Sequence, residues 1–522
     1  MIRQPGKTTK AGLAGIWPAL VAFLASLFMT LHLYGCIHLI LGELDFMPSS
    51  EALAAASMGL ALAALAVAAL WYRKGPGRLG AALAGRARRL LDALGSTRAR
   101  RFLALFALPL AIRGLLIFLF RTPIDNDPAV YTRNALDIVR TGLVQENAAY
   151  SLAFPHQFWY GLFLLPAALF GGADWHFQMY IALILSAGAC LLYGIVEPIN
   201  GRRRAMAASL VFSYLPSQLF GALAVTHEHG FTFLLLCGLW IWVRGRRRQS
   251  PVLPWTGVCL VLAALRLVNA IGLVAIVAAA CCLLFVRWDA RLAKLRTRAA
   301  CALILAAVIA AASWGSAALQ ARLIAGHQQP VHGSSWYTLY VGANVRKEGR
   351  FNRRDLMVYR WFIHGDGPED DLEHMSERGE KIREAAVARW KALAANPVRL
   401  AKHFARKFCN VWTGTHYALE LVDTEVDEPW VHRLMLAVMA LNNALYALMI
   451  ALSLPPLWRR MKRPAARDTV FVYLDTLVIG TAATLLLTEV MNKYSLTMFA
   501  PIVLLTTQSI FRRERPRDAA RR

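Results

Sequence analysis

Charged residues are scarce in this chain of 522 residues: Asp, Glu, Lys and Arg make up 17% of it, against 57% hydrophobic residues. Soluble globular domains contain about 25% charged and about 45 to 50% apolar residues. The shortage excludes a soluble secreted enzyme and a disordered protein. The apolar residues form runs of the roughly 20 positions that a helical membrane span needs, whereas the strands of an outer-membrane barrel would alternate. We therefore predict an all-α polytopic membrane protein.

Acidic residues are the scarcer charge, with 32 Asp and Glu against 58 Lys and Arg and a net charge of +26. A nucleic-acid partner would explain such a charge, but most of the basic residues lie in short loops between apolar runs. Because loops rich in Lys and Arg stay in the cytoplasm, the charge predicts topology and no nucleic-acid partner. The basic clusters are the N-terminus, 73–101, 202–204, 244–248, 287–298, 459–467 and 512–522.

Cysteine is scarce outside the apolar runs: of the eight cysteines, only Cys409 lies in a polar segment. A disulfide framework needs accessible pairs of cysteines, so none is expected. The chain also lacks the HExxH motif of metalloproteases and any repeat with a period of roughly 20 to 50 residues.

Twelve apolar runs predict membrane spans. The first is too long for a cleaved signal peptide, so we expect it to be retained. If the N-terminus starts in the cytoplasm, an even number of spans returns the C-terminus to the cytoplasm. Every basic cluster then lies on that side. The predicted spans are 16–41, 52–72, 102–120, 176–198, 205–225, 230–244, 252–265, 270–287, 300–325, 433–458, 469–488 and 495–511.

One further apolar run, 154–170, would place the basic residues 202–204 outside if it crossed the membrane. Its Trp159 and Tyr160 suit the headgroup level, so we predict an interfacial helix. The run belongs to the first external loop, 121–175.

The other external segment, 326–432, is predicted to form a small α-rich domain, and it contains 15 basic and 15 acidic residues. A helix over 376–396 ends before Pro397, because the residue before a proline avoids the helical region. A second helix from Val398 carries apolar residues on one face and basic residues on another, and this amphipathic pattern predicts that it lies on the outer membrane surface rather than crossing it. The apolar face holds Ala401, Phe404, Phe408 and Trp412, and the basic face holds Lys402, Arg406 and Lys407.

The first loop brings two carboxylates, Asp125 and Asp127, to the outer end of the third span. Asp127, Pro128 and Gly142 could be ordinary helix punctuation, as N-cap, first helical residue and C-terminal glycine. Alternatively, a carboxylate at this point can reach a lipid headgroup and a water-borne acceptor together, so both aspartates are candidate catalytic residues. Tyr131 and His156 are candidate substrate-binding residues nearby.

A second acid, Glu228, lies in the external turn between the fifth and sixth spans, flanked by His227 and His229. The two imidazoles could bind a divalent metal ion together with a first-loop aspartate. The same polar groups could simply solvate a tight turn. No cofactor is certain, and Glu228 is a third candidate catalytic residue.

Arg266 and Asn269 lie at the tip of an apolar hairpin, where the guanidinium could hold a phosphate or extend to the outer interface. Arg113 is well inside the third span and could pair with Asp475 or point into a cavity. Lys493 lies on the last external turn, and we include it with Arg266 and Asn269 among the candidate substrate-binding residues.

Four passages, taken in order, resemble the GT-C superfamily of polyprenyl-phosphate-dependent glycosyltransferases, and within it the protein O-mannosyltransferases and lipid A aminoarabinose transferases. The first two are similar to the family's first external loop and interfacial helix, the third to its arginine-containing hairpin, and the fourth, in two parts, to its external domain. They are DPAVYTRNALDIVRTG (127–142), AFPHQFWYGLFLLPAALFGG (153–172), LRLVNA (265–270), and SSWYTLYVGANVRKEGRFN (334–352) with NPVRLAKHFARKF (396–408).

The resemblance implies a GT-C-like fold and a hexosyl- or pentosyltransferase that takes its sugar from a polyprenyl phosphate. The acceptor would be a lipid, polysaccharide or protein of the envelope, outside the bacterial inner membrane. The family's first-loop Asp, which acts as base or positions the acceptor, corresponds to Asp127, and its second-loop acid corresponds to Glu228. The chain departs from the family in two places: Pro128 replaces an acid, and Ala153 with Phe154 replaces an acid and a lysine.

The predicted organisation is an N-terminal two-span extension with a basic loop (1–101), a GT-C-like core (102–325), an external domain (326–432), and C-terminal spans with a basic tail (433–522). The alternative functions are a transporter or flippase of a lipid-linked saccharide and a non-catalytic envelope scaffold. A transporter would show repeated halves and interrupted helices around a mid-membrane site. The candidate catalytic acids lie instead at the predicted outer surface.

Overall fold

The computed structural model describes residues 13–42, 78–246, 252–286, 295–324, 334–365, 374–412, 417–426, 428–462 and 469–507. These residues form helices and no strand, which confirms the all-α prediction. In chain order the helices are α1 (Leu13–Gly42), α2 (Arg78–Gly95), α3 (Arg98–Phe120), α4 (Asn126–Thr141), α5 (Ala148–Ala153), α6 (Pro155–Phe163), α7 (Leu165–Leu169), α8 (Asp174–Asn200), α9 (Arg202–Tyr214), α10 (Pro216–Leu223), α11 (His227–Gly245), α12 (Val252–Val268), α13 (Gly272–Phe285), α14 (Leu295–Leu323), α15 (Ser334–Gly342), α16 (Arg353–His364), α17 (Met375–Ala394), α18 (Pro397–Trp412), α19 (Tyr417–Glu425), α20 (Pro429–Lys462), α21 (Thr469–Leu487) and α22 (Phe499–Thr506).

Within the described residues, five helices are long and apolar enough to cross a membrane: α3, α8, α14, α20 and α21. The pair α9 and α10 would make a sixth, and shorter apolar helices include α12 and α13. The chain is thus a multi-pass membrane protein. The predicted span 52–72 lies outside the described residues, and the domain boundaries stay predictions.

The predicted continuous span 205–225 is wrong, because α9 and α10 meet at an angle of 69°. Pro216 begins α10, and Leu215 before it is extended, with ψ at 135°. A residue before proline is pushed out of the helical region, and proline itself cannot donate to the preceding turn. The span is therefore broken at its middle.

Arg113 of α3 is fully buried at this break. Its guanidinium donates to the main-chain oxygen of Ser213 at 3.2 Å, to that of Gln218 at 3.1 Å, and to the Ser186 hydroxyl at 2.7 Å. Two of these acceptors belong to the broken span, so Arg113 stabilises the kink.

The largest buried cluster joins α1, α8, α9, α11, α12, α13, α20, α21 and α22. α1 packs along α20 and α21, and the ring of its Phe28 lies edge-on to Phe408 of α18 at 5.5 Å. The first helix is therefore part of the bundle core. The run 154–170 forms the short helices α6 and α7 rather than a span, each beginning near a proline.

The external helices α17 and α18 have nearly the predicted bounds, with Pro397 as the first residue of α18. The predicted faces of α18 are partly wrong: Lys407 is buried and Ala401 is exposed. The buried stripe consists of His403, Lys407, Phe408 and Val411. The helix packs against α1, α17 and the 3-10 turn Asn492–Met498, so more than one of its faces is covered by other elements.

Candidate functional site

Asp127 lies in the first turn of α4, where the chain has just left α3. Arg121 ends α3 in the left-handed region with φ at 47°, and Asn126 enters α4 with φ at 54°. Asp125 is the N-cap residue, so the interpretation of Asp127 as the cap is wrong. Because the Asp127 carboxylate has no capping role, it is available for contacts with distant parts of the chain.

The carboxylate of Asp127 is held by two side chains from distant parts of the chain. The Tyr150 hydroxyl of α5 donates to Oδ1 at 2.9 Å, and Lys493 Nζ donates to Oδ2 at 3.1 Å. The Lys493 side chain is only 3% exposed, whereas that of Asp127 keeps 40% of its exposure. The pair therefore has a buried cation and an accessible carboxylate.

Burial raises the pKa of Asp127, but the charge of Lys493 and the hydrogen bonds from Tyr150 and Lys493 lower it by more. The pKa therefore lies below the ordinary value of an aspartate. The carboxylate is charged at neutral pH, which suits a group that orients a hydroxyl and accepts its proton.

His227 and Glu228 begin α11, both are buried, and both interact electrostatically with Lys493. The Tyr160 hydroxyl of α6 donates to the Thr226 carbonyl at 2.6 Å and so fixes the start of α11. His227 Nε2 lies 3.4 Å from Glu228 Oε1, and neither carboxylate oxygen accepts a hydrogen bond from the described residues. Glu228 is thus a second, enclosed acid.

Tyr131 and His156 form a layer of rings around His227. The Tyr131 hydroxyl lies 3.2 Å from His227 Nδ1, and the His156 and His227 ring centroids are 5.1 Å apart. Burial, followed by the charge of His227, lowers the pKa of His156 to about 3. His156 is therefore a neutral imidazole at physiological pH.

The structure does not bring His227 and His229 together as metal ligands. Successive residues of an α-helix are about 100° apart, so positions two apart point to nearly opposite sides. His227 faces Tyr131, whereas the His229 ring lies against Gly221, where an added Cβ would be 3.2 Å from it. The described residues contain no group of three or more His, Cys, Asp or Glu that could hold a metal ion.

Arg266 ends α12, and Asn269 lies in the turn that follows. The turn is very tight, since a Cβ on Gly272 would be 2.4 Å from the Arg266 main chain. Asn269 Oδ1 accepts from the Ile271 amide at 2.9 Å, while its Nδ2 finds no acceptor among the described residues. Asn269 therefore shapes the hairpin and offers one donor.

The Arg266 side chain is exposed and has no hydrogen bond or ion pair within the described part of the chain. Its charge nevertheless reaches His156, where it contributes to the lowered pKa of that imidazole. An unpaired guanidinium therefore lies within electrostatic reach of His156. Asp125 is exposed and accepts from its neighbour Asn126 at 3.1 Å, so it does not share the contacts of Asp127.

Sequence reasoning missed Tyr150 and Tyr160. Tyr150 lies 23 positions from Asp127, in a segment with no motif of its own. Its only signal is that it precedes the interfacial helix, where aromatic residues are common. Tyr160 was predicted to lie at the headgroup level, but it is fully buried and positions the start of α11.

No known protein family matches the chain, and no curated protein matches it. Among solved structures, the chain is similar to ArnT from Cupriavidus metallidurans bound to undecaprenyl phosphate, with 13% identity over 79% of this chain and 78% of that chain and a TM-score of 0.35. The all-α membrane fold rests on the helices of this chain itself.

Proposed function

We propose that the chain is an integral membrane glycosyltransferase of GT-C type, which moves a sugar from a polyprenyl-phosphate donor to an envelope acceptor on the external face of the bacterial inner membrane. The observation that carries the proposal is the Asp127 carboxylate, which Lys493 and Tyr150 hold in place while 40% of its side chain stays exposed. A carboxylate with only a structural role would have no need of this access.

Asp127 is the proposed base. The acceptor hydroxyl would donate to Asp127, and its oxygen would form a bond to the anomeric carbon of the sugar. As that bond forms the hydroxyl becomes more acidic, so a carboxylate of low pKa can take the proton late in the reaction. Lys493 and Tyr150 then keep Asp127 in one orientation, which contributes to the rate by alignment.

Arg266 is the proposed partner of the donor phosphate. The bond between the anomeric carbon and the phosphate oxygen would break, and the electron pair would leave with the lipid phosphate. A guanidinium can hold that phosphate through two parallel hydrogen bonds and stabilise its growing charge. The lack of a described partner for Arg266 and its reach to His156 support this role.

The transporter alternative gains one observation, since α9 and α10 form an interrupted helix. In transporters, the backbone groups freed at such a break bind the substrate. Here the Ser213 carbonyl, whose helical donor Ser217 N–H bonds Asn442 instead, accepts from Arg113, as does the Gln218 carbonyl of α10. The break is therefore satisfied within the protein, and transfer remains the better proposal.

The proposal is tested with purified protein in lipid vesicles and polyprenyl phosphates carrying a radiolabelled sugar. A glycosyltransferase will transfer the sugar to envelope acceptors or hydrolyse the donor slowly, a flippase will only move the lipid across the bilayer, and a scaffold will do neither. Either of the last two results would refute the proposal.

Asp127→Asn is the decisive variant in this assay. It keeps the size of the side chain and removes its basicity, so we expect transfer to fall by about 100- to 10,000-fold at normal protein abundance. Asp125→Asn is the matched control, an exposed aspartate two positions away, and it should change the rate by less than about twofold. Equal rates for the two variants would contradict the role of Asp127.

A further inference from the structure

Lys407 of α18 is a lysine with no exposed surface. Its ammonium donates to the main-chain oxygen of Gly342 at 2.9 Å and to that of Thr488 at 2.6 Å, and it lies 5.7 Å from the centre of the Trp390 ring. Burying a lysine is costly unless its donors are satisfied. These acceptors lie at the ends of α15 and α21, so Lys407 joins three elements.

Thr488 opens the connector 488–492, which leads from α21 to Lys493. The connector is fixed at a second point, since the Val490 amide donates to the Gly349 carbonyl at 2.9 Å. Gly349 in turn lies directly on Lys407, because a Cβ added there would be 2.7 Å from Lys407 Cε. Lys407 is therefore the centre of the contacts that hold this connector to the external helices.

We propose that Lys407 is a positioning residue that fixes the connector 488–492 and thereby sets Lys493 against Asp127. The inference rests on the proposed function, because it concerns the orientation of the same carboxylate. The Lys493 side chain is buried and cannot reorient freely in solvent. The position of its ammonium relative to Asp127 therefore depends on the main chain that carries it. A displacement of about 1 Å at such a site can cost about 100-fold in rate.

Titration near neutral pH does not by itself break this arrangement. Burial lowers the pKa of Lys407 to about 7, and the charge of Glu489 in the connector raises it. The pKa of Glu489 is raised to about 7, mainly by burial. The charges of Asp127 and Asp355 also raise it, and those of Lys493 and Lys407 lower it. Both the ammonium and the neutral amine can donate to carbonyl oxygens, so the contacts persist when Lys407 loses its proton.

The test is a double-mutant cycle on the full-length protein between Lys407→Met and Lys493→Met. Lys407→Met alone should lower kcat by about 10- to 100-fold and leave the donor KM within about threefold. In the Lys493→Met background the same change should cost less than about twofold more, because its effect passes through Lys493. Lys402→Met, which changes an exposed lysine of the same helix, is the matched control.

A second variant reaches the same contact without removing the lysine. Gly349→Ala puts a methyl group against Lys407 at a position where φ is 76°, so it should reproduce the loss of kcat and its dependence on Lys493. Losses that multiply with that of Lys493→Met, or normal kcat in folded Lys407→Met, would overturn the proposal. Failure of both variants to fold would also overturn it, since Lys407 would then be only structural.

The cycle is also measured on the Tm of the purified proteins, where no transfer is needed. If Lys407 holds Lys493 in place, the two losses of Tm should again be less than additive. Coupled Tm values without transfer by the wild-type protein would refute the proposed function and keep the positioning role. Transfer by the wild-type protein, with losses of Tm that are fully additive, would keep the proposed function and refute the positioning role of Lys407.

Discussion

Arg113 and Arg266 both lie in apolar helices of the same bundle, in opposite surroundings. Arg113 is fully buried and donates to Ser186, Ser213 and Gln218. Arg266 is exposed at the end of its helix and has no hydrogen bond or ion pair to any described residue. The sequence left alternatives open for both, although an ionisable residue in a membrane segment is a functional hypothesis by default.

The contrast teaches that the acceptors around a charge decide its role. The donors of Arg113 are used by carbonyls on both sides of the break between α9 and α10 and by the Ser186 hydroxyl, so its charge serves the fold. The donors of Arg266 stay available, and its charge reaches His156. Lys493 lies between these cases, since it is buried like Arg113 and yet pairs with an accessible carboxylate.

The largest effect is expected from Arg113→Met. The substitution removes the donor of the buried Ser213 carbonyl, which costs about 1 to 3 kcal/mol, and it also removes the contacts of Arg113 with Gln218 and Ser186. We expect little folded protein in the membrane fraction, measured by immunoblotting and by thermal unfolding in detergent. Arg266→Met, the same change at the other arginine, should leave abundance normal, and an abundant Arg113→Met protein would contradict the structural role.

Lys493→Met should have the next largest effect, on the rate and on its pH dependence. Without the ammonium, Asp127 loses the charge and the hydrogen bond of Lys493 that lower its pKa, whereas burial continues to raise it. The pKa of Asp127 should therefore rise. The deprotonated carboxylate is the proposed active form, so the acid limb of the pH–rate profile should move to higher pH. We also expect the rate at neutral pH to fall by about 100-fold.

The control for that prediction is Lys402→Met, which removes an exposed charge from the external domain. It should leave the acid limb in place, because Lys402 is exposed, where salt screens its charge, and it is not among the groups that shift the pKa of Asp127. An unchanged profile for Lys493→Met would mean that Lys493 does not tune Asp127.

Local features of the fold were predictable from the sequence, because proline and glycine act on their immediate neighbours. Pro397 separates α17 from α18, and Gly142 ends α4 in the left-handed conformation with φ at 79°. Pro216 carried the same kind of signal for the break after α9, but the long apolar run hid it. The apolar character of the spans therefore followed from composition, whereas the break after α9 depends on a single residue, Pro216.

The contacts of the site could not be predicted in the same way. Lys493 and Asp127 are 366 positions apart, and only the packing of the whole bundle brings them together. The burial of Lys407 follows from contacts with other elements on several sides of α18, which helical periodicity does not contain. Candidate residues could thus be chosen by type and by their place at the span ends, whereas their partners could not.

The smallest effect, and the sharpest for the comparison of the two arginines, is expected from Arg266→Ala. Loss of a charge-assisted contact of about 1.5 to 3 kcal/mol should raise the donor KM by about 10- to 100-fold. Arg266→Lys should be intermediate, because an ammonium keeps the charge and loses the paired geometry. Since Arg266 has no described partner to lose, Tm should stay within about 1 °C of the wild type, given that exposed substitutions usually change stability little. A fall in Tm with an unchanged KM would place Arg266 with Arg113 among the structural arginines and leave the donor phosphate without its proposed partner.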